Sequence, residues 1–271
     1  EYIFGPVIAP DGEHPERQSY SDVVLLKRLR LAVHRLNPYI PEAAREQAVR
    51  EVMHISSPDQ LNNNEKFHVF LTNGVDVEYH SDGETWGGKV WLIDYENPVN
   101  NEFLVVNQFT IIENNSNKRP DIILFVNGLP LVLLELKNPA DENATIRKAF
   151  DQLQTYKSVI PSIFTYNSVL IVSDGLDART GSLSSGYSRF HAWKTKDGKT
   201  EASKLVNQLE VLISGMLNKT VLLDLIRHFI VFEKSKKEDP KTLITSIQTV
   251  KKIAAYHQYF AVNKAVESSM R

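Results

Sequence analysis

The sequence predicts an α/β fold with a mixed central sheet flanked by helices and a helical extension at the C-terminal end. Two apolar runs, at residues 122–126 and 131–136, are joined by Asn127-Gly128, a dipeptide typical of tight hairpins. A helix pattern at 145–158 and a buried strand pattern at 168–173 follow the hairpin. This alternation indicates a sheet that is covered by helices on its faces.

Before the hairpin, the apolar spacing predicts two helices and then a series of strands. The helices are expected at residues 20–37 and 42–53. Ser21 or Asp22 is the expected N-cap of the first helix, and Pro41 opens the second. The strands are expected at residues 67–71, 75–79, 89–94 and 103–112, followed by a polar loop at 113–118.

The last third of the chain is predicted to be mainly helical. Two amphipathic helices are expected at residues 203–218 and 221–232. The residues between Glu233 and Pro240 are highly charged and are expected to form a linker. A last helical stretch is expected at residues 243–266.

The composition is that of an intracellular globular protein. Hydrophobic residues make up 42% of the 271 residues, enough for a substantial core, and the absence of cysteine excludes disulfides and thiolate zinc sites. No apolar run approaches the length of a membrane span, so a cytoplasmic location is expected. The net charge of −2 argues against a protein that grips nucleic acid over its whole surface, although it leaves room for an enzyme with a local basic rim.

Two acids and a lysine lie at the open ends of the predicted hairpin. Asp121 starts the first strand, while Glu135 and Lys137 share a face of the second because side chains alternate along a strand. Closure at the turn places Asp121 near Glu135, and paired carboxylates favour Mg²⁺ or Mn²⁺. Such an ion activates a water molecule for attack on a phosphodiester, and the lysine can orient that water molecule. The alternative is a solvated strand face with Asp121 as a turn residue.

The most basic local segment spans residues 189–204, where Phe190 and Trp193 are interleaved with the cations. The cations are Arg189, Lys194, Lys196, Lys199 and Lys204. One interpretation is a loop or hairpin that contacts DNA phosphates. The other is a solvated surface loop with one buried aromatic side chain.

The hairpin resembles the PD-(D/E)xK nuclease motif, with Pro120-Asp121 and Glu135-Leu136-Lys137 in its positions. More widely, nearly the whole chain resembles the N-terminal part of the R (restriction and translocation) subunit of type I restriction enzymes. The stretches that carry this resemblance are residues 36–38, 107–110, 119–139, 152–156, 171–175, 193–198 and 256–258. The resemblance implies that the mixed sheet is of the restriction-endonuclease type.

The resemblance also implies roles for individual residues. Asp121 and Glu135 would hold Mg²⁺, which Mn²⁺ can replace, and Lys137 would position the attacking water. Gln152 and Tyr156, which share one helix face, would lie beside the metal and orient the substrate. Many nucleases of this fold add a carboxylate from the first helix, for which the candidates here are Asp22, Glu16 and Glu51.

The implied partners are double-stranded DNA and the methyltransferase and specificity subunits of a restriction complex. Gln258 would contact the adenine of ATP in a longer subunit, but no G-x-x-x-x-G-K-[ST] sequence occurs in these residues, so this chain is not a motor by itself. The expected division is an endonuclease domain at 1–200, a helical connector at 201–240 and the helical start of a RecA-like motor lobe at 241–271.

Two functions therefore remain open at this point. The first is a metal-dependent endonuclease domain that cleaves foreign DNA after translocation. The second is a catalytically silent module that docks the motor onto the methyltransferase core through its helices. The intact acid–acid–lysine set favours the first, whereas the near-neutral charge indicates that the chain alone binds DNA weakly.

Overall fold

The computed structural model describes residues 1–81, 83–138, 145–203, 205–238 and 245–270. The strands are β1 Tyr2–Phe4, β2 Val75–Ser81, β3 Glu84–Val90, β4 Phe103–Asn107, β5 Ile111–Glu113, β6 Ser116–Lys118, β7 Ile122–Val126, β8 Leu129–Leu136, β9 Val169–Ser173, β10 Ala178–Gly181, β11 Ile230–Glu238 and β12 Thr245–Ile253. The helices are α1 Leu26–Leu36, α2 Glu42–Met53, α3 Gln60–Asn73, α4 Ile146–Val159, α5 Ser162–Thr165, α6 Gln208–Gly215, α7 Lys219–His228 and α8 Tyr256–Ser269.

A six-stranded sheet with the order β1-β4-β7-β8-β9-β10 forms the centre of the fold. Strand β1 runs parallel to β4, whereas β4, β7 and β8 are successively antiparallel, so the sheet is mixed. Strand β8 is buried along seven of its eight residues, as expected for a strand with both faces covered. The predicted mixed sheet with flanking helices and a C-terminal helix is confirmed.

The chain divides into two compact units, and the first comprises Glu1–Glu135 and Asp151–Ser168. Its β7–β8 hairpin closes at Asn127 and Gly128, whose φ angles of 52° and 80° are those of the predicted tight turn. The Asn127 side chain is fully buried and holds the turn in place. Its Nδ2 donates to the Leu92 and Asn101 oxygens at 2.9 and 2.8 Å, and its Oδ1 accepts from the Glu102 amide at 2.8 Å.

The second unit comprises Leu136–Phe150 and Val169–Arg271. Its core is built around Trp193, which is 1% exposed and packs against the tilted rings of Tyr259 and Phe260 from α8. The β11–β12 ribbon follows α7, and Lys251 of β12 is held by Ser182 and Ser184 hydroxyls that donate to its carbonyl. No helix in the described ranges combines the length and apolar character that a bilayer crossing requires.

The strand expected at 67–71 is wrong, because these residues belong to α3. Asp59 caps this helix by accepting from the Leu61 and Asn62 amides at 2.8 and 3.0 Å. Phe67 and Leu71, four residues apart, are buried on one face, which is helical spacing. The bulky apolar residues within 67–71 favour a strand locally, but the cap and the tertiary packing decide the conformation.

The helix expected at 20–37 starts later than predicted. Helix α1 begins at Leu26, and neither Ser21 nor Asp22 caps it. The Asp22 carboxylate instead accepts from the Gln18 and Ser19 amides at 3.1 and 2.9 Å, which stabilises a preceding turn. The helix at 42–53 is confirmed with its predicted ends.

The long strand expected at 103–112 is broken at Gln108, whose φ is 54°, and the polar loop at 113–118 is a small hairpin. Its turn is formed by Asn114 and Asn115, which both have positive φ, as this turn type requires. The two helices expected at 203–218 and 221–232 are the shorter α6 and α7. The side chains of Asn207 and Asn218 cap them by accepting from amides of the first turn.

The expected linker at 233–240 and the helical stretch at 243–266 need correction. Over their described residues, Glu233 belongs to strand β11, and 245–253 form its partner β12, so helix begins only at Tyr256. Glu233, Lys234 and Lys236 of β11 are exposed, so their charges are compatible with strand pairing. The proposed domain boundaries at 200 and 240 stay predictions.

Lys251 predicts a pH dependence of stability. It is 1% exposed, its Nζ lies 5.6 Å from the Phe232 ring centre, and burial lowers its pKa to about 7. Between that value and the ordinary lysine pKa, the unfolded chain holds a proton that the folded chain lacks, so stability rises with pH. Lys251→Met removes this dependence.

We expect Lys251→Met to be more stable than the parent near pH 6. Above about pH 7 the difference in the free energy of unfolding between the two proteins should shrink by up to ~1.4 kcal/mol per pH unit. Urea unfolding of both proteins from about pH 6 to about pH 9 measures the difference. A constant difference across this range would contradict the lowered pKa. Lys252→Met, at an exposed position of the same strand, is the matched control.

Candidate active site

The β7–β8 hairpin brings the two predicted metal-ligating acids to opposite positions. In its register Ile122 opposes Leu134, so the next pair outward is Asp121 and Glu135. Directly opposite residues of an antiparallel pair project from the same face, with Cβ atoms about 4.5–5.5 Å apart. The two carboxylates therefore share one face at the open end of the hairpin, as closure at the turn predicts.

Glu135 is part of a buried hydrogen-bonded chain and not of a solvated strand face. It is 1% exposed, and the Tyr156 hydroxyl from α4, itself on a residue 2% exposed, donates to its carboxylate. The Gln152 Nε2 donates in turn to the Tyr156 oxygen at 2.6 Å. Burial, followed by the negative charge of Glu135, raises the pKa of Tyr156, so the phenol stays a neutral donor.

Gln108 is a site residue that sequence reasoning did not select. Its amide donates to the Asp121 carbonyl at 3.0 Å, and its side-chain Nε2 donates to the Asp121 Oδ1 at 3.4 Å. The left-handed backbone of Gln108 ends β4 opposite the start of β7, which turns the residue toward Asp121. The available signal was a polar residue that interrupts an apolar strand pattern next to the hairpin.

Lys137 directly follows β8 and lies two residues beyond Glu135. Its amide donates to the Ser173 carbonyl at 2.8 Å, which fixes the backbone at this point within the second unit. Lys137 is partly exposed. Pro139, which was expected to end the strand, lies outside the described residues.

The three candidate carboxylates for the first helix each contact other groups. Glu16 forms a two-pronged ion pair with Arg28, at 2.5 Å from Nε and 2.6 Å from Nη2. Glu51 accepts from the Gln47 side chain at 3.0 Å, and Asp22 stabilises the turn described above. Within the described ranges, no three His, Asp or Glu side chains cluster as a metal site, and the third carboxylate stays a prediction.

The basic segment at 189–204 is anchored by its aromatic residues. Phe190 and Trp193 are both buried, whereas the surface-loop interpretation expected one buried aromatic side chain. Lys196 is ion-paired with Glu210, and Lys194 and Lys199 are exposed. Lys204 lies outside the described residues.

Gln258 lies in the first turn of α8 and is exposed. Its Oε1 accepts from the Ala255 amide at 2.9 Å, so the side chain caps its own helix. The adenine contact that was expected in a longer subunit stays a prediction.

Comparison with known proteins identifies the family. The model for the N terminus of type I restriction enzyme R proteins matches residues 1–189. The chain belongs to this family. The HindI endonuclease subunit of Haemophilus influenzae is 42% identical over 273 residues, covering all of this chain and 25% of the relative. A putative MjaIXP endonuclease subunit of Methanocaldococcus jannaschii is 32% identical over 289 residues, covering all of this chain and 26% of the relative.

The chain therefore corresponds to an endonuclease region of a type I restriction enzyme R subunit, and it spans about a quarter of the length of these relatives. The EcoprrI endonuclease subunit of Escherichia coli is 28% identical over 151 residues, which is 54% of this chain and 47% of the relative. The R-subunit resemblance drawn from the sequence is thus confirmed. It covers the hairpin acids and the residues of α4.

Proposed function

We propose that this R-subunit region hydrolyses phosphodiester bonds of double-stranded DNA with a divalent cation held by Asp121 and Glu135. The observation that carries the proposal is the pairing of these acids across the β7–β8 register, with Glu135 buried beneath a neutral tyrosine. Two carboxylates held together in this way repel each other unless a cation lies between them.

The donor set fits Mg²⁺ or Mn²⁺. Mg²⁺ is usually bound in proteins by one or two carboxylates and keeps several waters, which matches the pair Asp121 and Glu135. A bound cation would polarise a phosphoryl oxygen and lower the pKa of a water molecule. The oxygen ligands and the absence of cysteine from the sequence also disfavour a structural zinc site.

The surrounding residues have separate tasks in this proposal. Lys137 orients the attacking water or stabilises negative charge on the phosphate. Tyr156 and Gln152 hold the Glu135 carboxylate, and Gln108 holds Asp121. These three residues act on the ligands rather than on DNA, which is the usual arrangement of groups behind a metal site.

The whole subunit would place this chemistry in a larger cycle. We propose that ATP-driven translocation by segments beyond this chain delivers foreign DNA for cleavage, within a complex that contains methyltransferase and specificity subunits. Residues 1–200 would supply the nuclease, 201–240 the connector and 241–271 the entry to the motor, where Gln258 would meet ATP. The competing proposal is a silent docking module, which the near-neutral charge favours.

Titration of this chain with Mn²⁺ by calorimetry tests the metal site. We expect binding in the parent and its loss in both Asp121→Asn and Glu135→Gln, because each variant removes one ligand charge. Glu51→Gln, which alters a carboxylate of α2, should bind like the parent. Absence of heat in the parent, or equal binding in all four proteins, would contradict the proposal and favour the docking module.

Tyr156→Phe should lower Mn²⁺ affinity and cleavage by about 10–100-fold, because groups that orient metal ligands contribute effects of this size. Stability should fall by only about 1 kcal/mol, the value of one hydrogen bond. Calorimetry and thermal unfolding separate these effects. Tyr166→Phe is the matched control, since this buried hydroxyl donates to the Val52 carbonyl in the same unit. Normal Mn²⁺ binding with a large loss of stability would make Tyr156 a core residue only.

A further inference from the structure

A cavity of about 630 Å³ lies within the second unit, between the β11–β12 ribbon, the start of α8 and the turn that follows β10. Among the described residues that line it, every ionisable side chain is basic or a histidine, and none is an aspartate or glutamate. These residues are Arg189, His191, His228, Lys251, Lys252 and His257. In a chain of net charge −2, a cavity without acids is a local positive region that selects anions.

Main-chain donors converge on the same cavity. Helix α8 has 14 residues and begins at Tyr256, and its N-cap is Ala255, whose methyl group cannot accept a hydrogen bond. The first amides of an α-helix have no partner inside the helix, and an anion satisfies them while interacting favourably with the helix dipole. His257 and Gln258 of the first turn both line the cavity, so this helix start opens toward it.

The basic side chains around the cavity influence the pKa of His191. Burial, together with the positive charges of Arg189, His257 and Arg179, lowers the pKa of His191. Arg179 is already paired with Asp177, and Lys252 with Glu233, but Arg189 and His191 are exposed to the cavity. Arg189 therefore supplies a positive charge that no acid among the described lining residues neutralises, and the neutral form of His191 can still donate or accept a hydrogen bond.

We propose that this cavity binds a phosphate group, held by the amides at the start of α8 together with Arg189, His191 and His257. Guanidinium and imidazole donors with helix-terminal amides match the several acceptor oxygens of phosphate. The phosphate belongs either to the DNA backbone or to a nucleotide, which share this chemistry. The site is built from the second unit alone, whereas Asp121 and Glu135 belong to the first.

Titration of the 271-residue chain with inorganic phosphate, followed by the imidazole resonances in NMR, tests the site without any divalent cation. We expect saturable shifts of the His191 and His257 signals, assigned with His191→Gln and His257→Gln. Arg189→Gln should weaken binding about tenfold or more, because it removes a charge-assisted contact. Lys199→Gln, an exposed cation that does not line the cavity, should leave the affinity unchanged.

A second variant separates binding from folding. Ala255→Asp supplies the missing N-cap acceptor and a negative charge, so it should preserve or stabilise α8 while removing phosphate binding. Thermal unfolding verifies that the variant is folded. Shifts that persist equally in Arg189→Gln and Ala255→Asp, or no saturable shift in the parent, would overturn the proposal.

Competition identifies the source of the phosphate. Displacement of inorganic phosphate by a short DNA duplex assigns the site to the DNA backbone, and displacement by ATP alone assigns it to a nucleotide. Failure of both to compete means that neither occupies the cavity, and it would overturn the proposal. Because the readout needs neither metal nor cleavage, a failure here is distinguishable from a failure of the proposed nuclease.

Discussion

Glu135→Gln in the full R subunit, assembled with its partner subunits, should reduce DNA cleavage on the order of 10³-fold or more while ATP hydrolysis continues. The substitution keeps the shape of the side chain but removes the charge of a proposed metal ligand at a position that is 1% exposed, where water cannot compensate. Cleavage of a plasmid and release of phosphate from ATP measure the two activities in one reaction.

Glu113→Gln is the matched control for this result. Glu113 is a partly buried acid of the same unit whose carboxylate accepts from the Ser162 amide and hydroxyl at 3.1 and 2.6 Å. It should retain normal cleavage. Lys137→Ala should behave like Glu135→Gln, since the proposed role of this lysine is confined to the phosphodiester site. Cleavage at the parent rate in Glu135→Gln would leave the docking module as the better account.

Gly128→Ala should destabilise the protein by on the order of 3 kcal/mol or more. Gly128 has a φ of 80°, and a Cβ at this position would lie 2.5 Å from the Leu25 carbonyl oxygen and 2.8 Å from the Leu29 amide nitrogen. The Leu25 amide also donates to the Gly128 carbonyl at 2.9 Å, so neither backbone moves away freely. Denaturant unfolding measures the loss.

Gly83→Ala separates the cost of the left-handed backbone from the cost of the steric clash of an added Cβ. Gly83 has nearly the same φ, 82°, but a Cβ there meets nothing within 4 Å. This variant should cost only the left-handed conformation, about 1–2 kcal/mol. Equal losses at the two positions would show that close packing against Leu25 contributes nothing.

The hairpin and its acids could be predicted because their signals are local. Asn127-Gly128 determines the turn, the turn determines the register, and the register places Asp121 opposite Glu135. The side chains that hold the acids could be predicted from the sequence only in part. Gln152 and Tyr156 were expected beside the metal to orient the substrate, and that role stays a prediction. The hydrogen bonds from Gln152 to Tyr156 and from Tyr156 to Glu135 depend on how α4 packs.

The wrong predictions involve interactions between residues distant in sequence. Residues 67–71 look like a strand in isolation, but burial of Phe67 and Leu71 on one helix face decides otherwise. The β11–β12 ribbon was missed because charged residues dominate its first strand. Its pairing partner, with Phe232 opposite Lys251, lies beyond a segment without an Asn-Gly or Asp-Gly dipeptide.

The buried Asn127 also has a consequence for the chemical ageing of the chain. Asparagine followed by glycine is the dipeptide most prone to deamidation, since the glycine nitrogen readily attacks the side-chain amide when both are mobile. Here the amide is fixed by Leu92, Asn101 and Glu102, and the turn fixes the glycine. The folded protein is therefore protected, whereas molecules that unfold acquire an aspartate or isoaspartate at the turn and lose the geometry of the acids permanently.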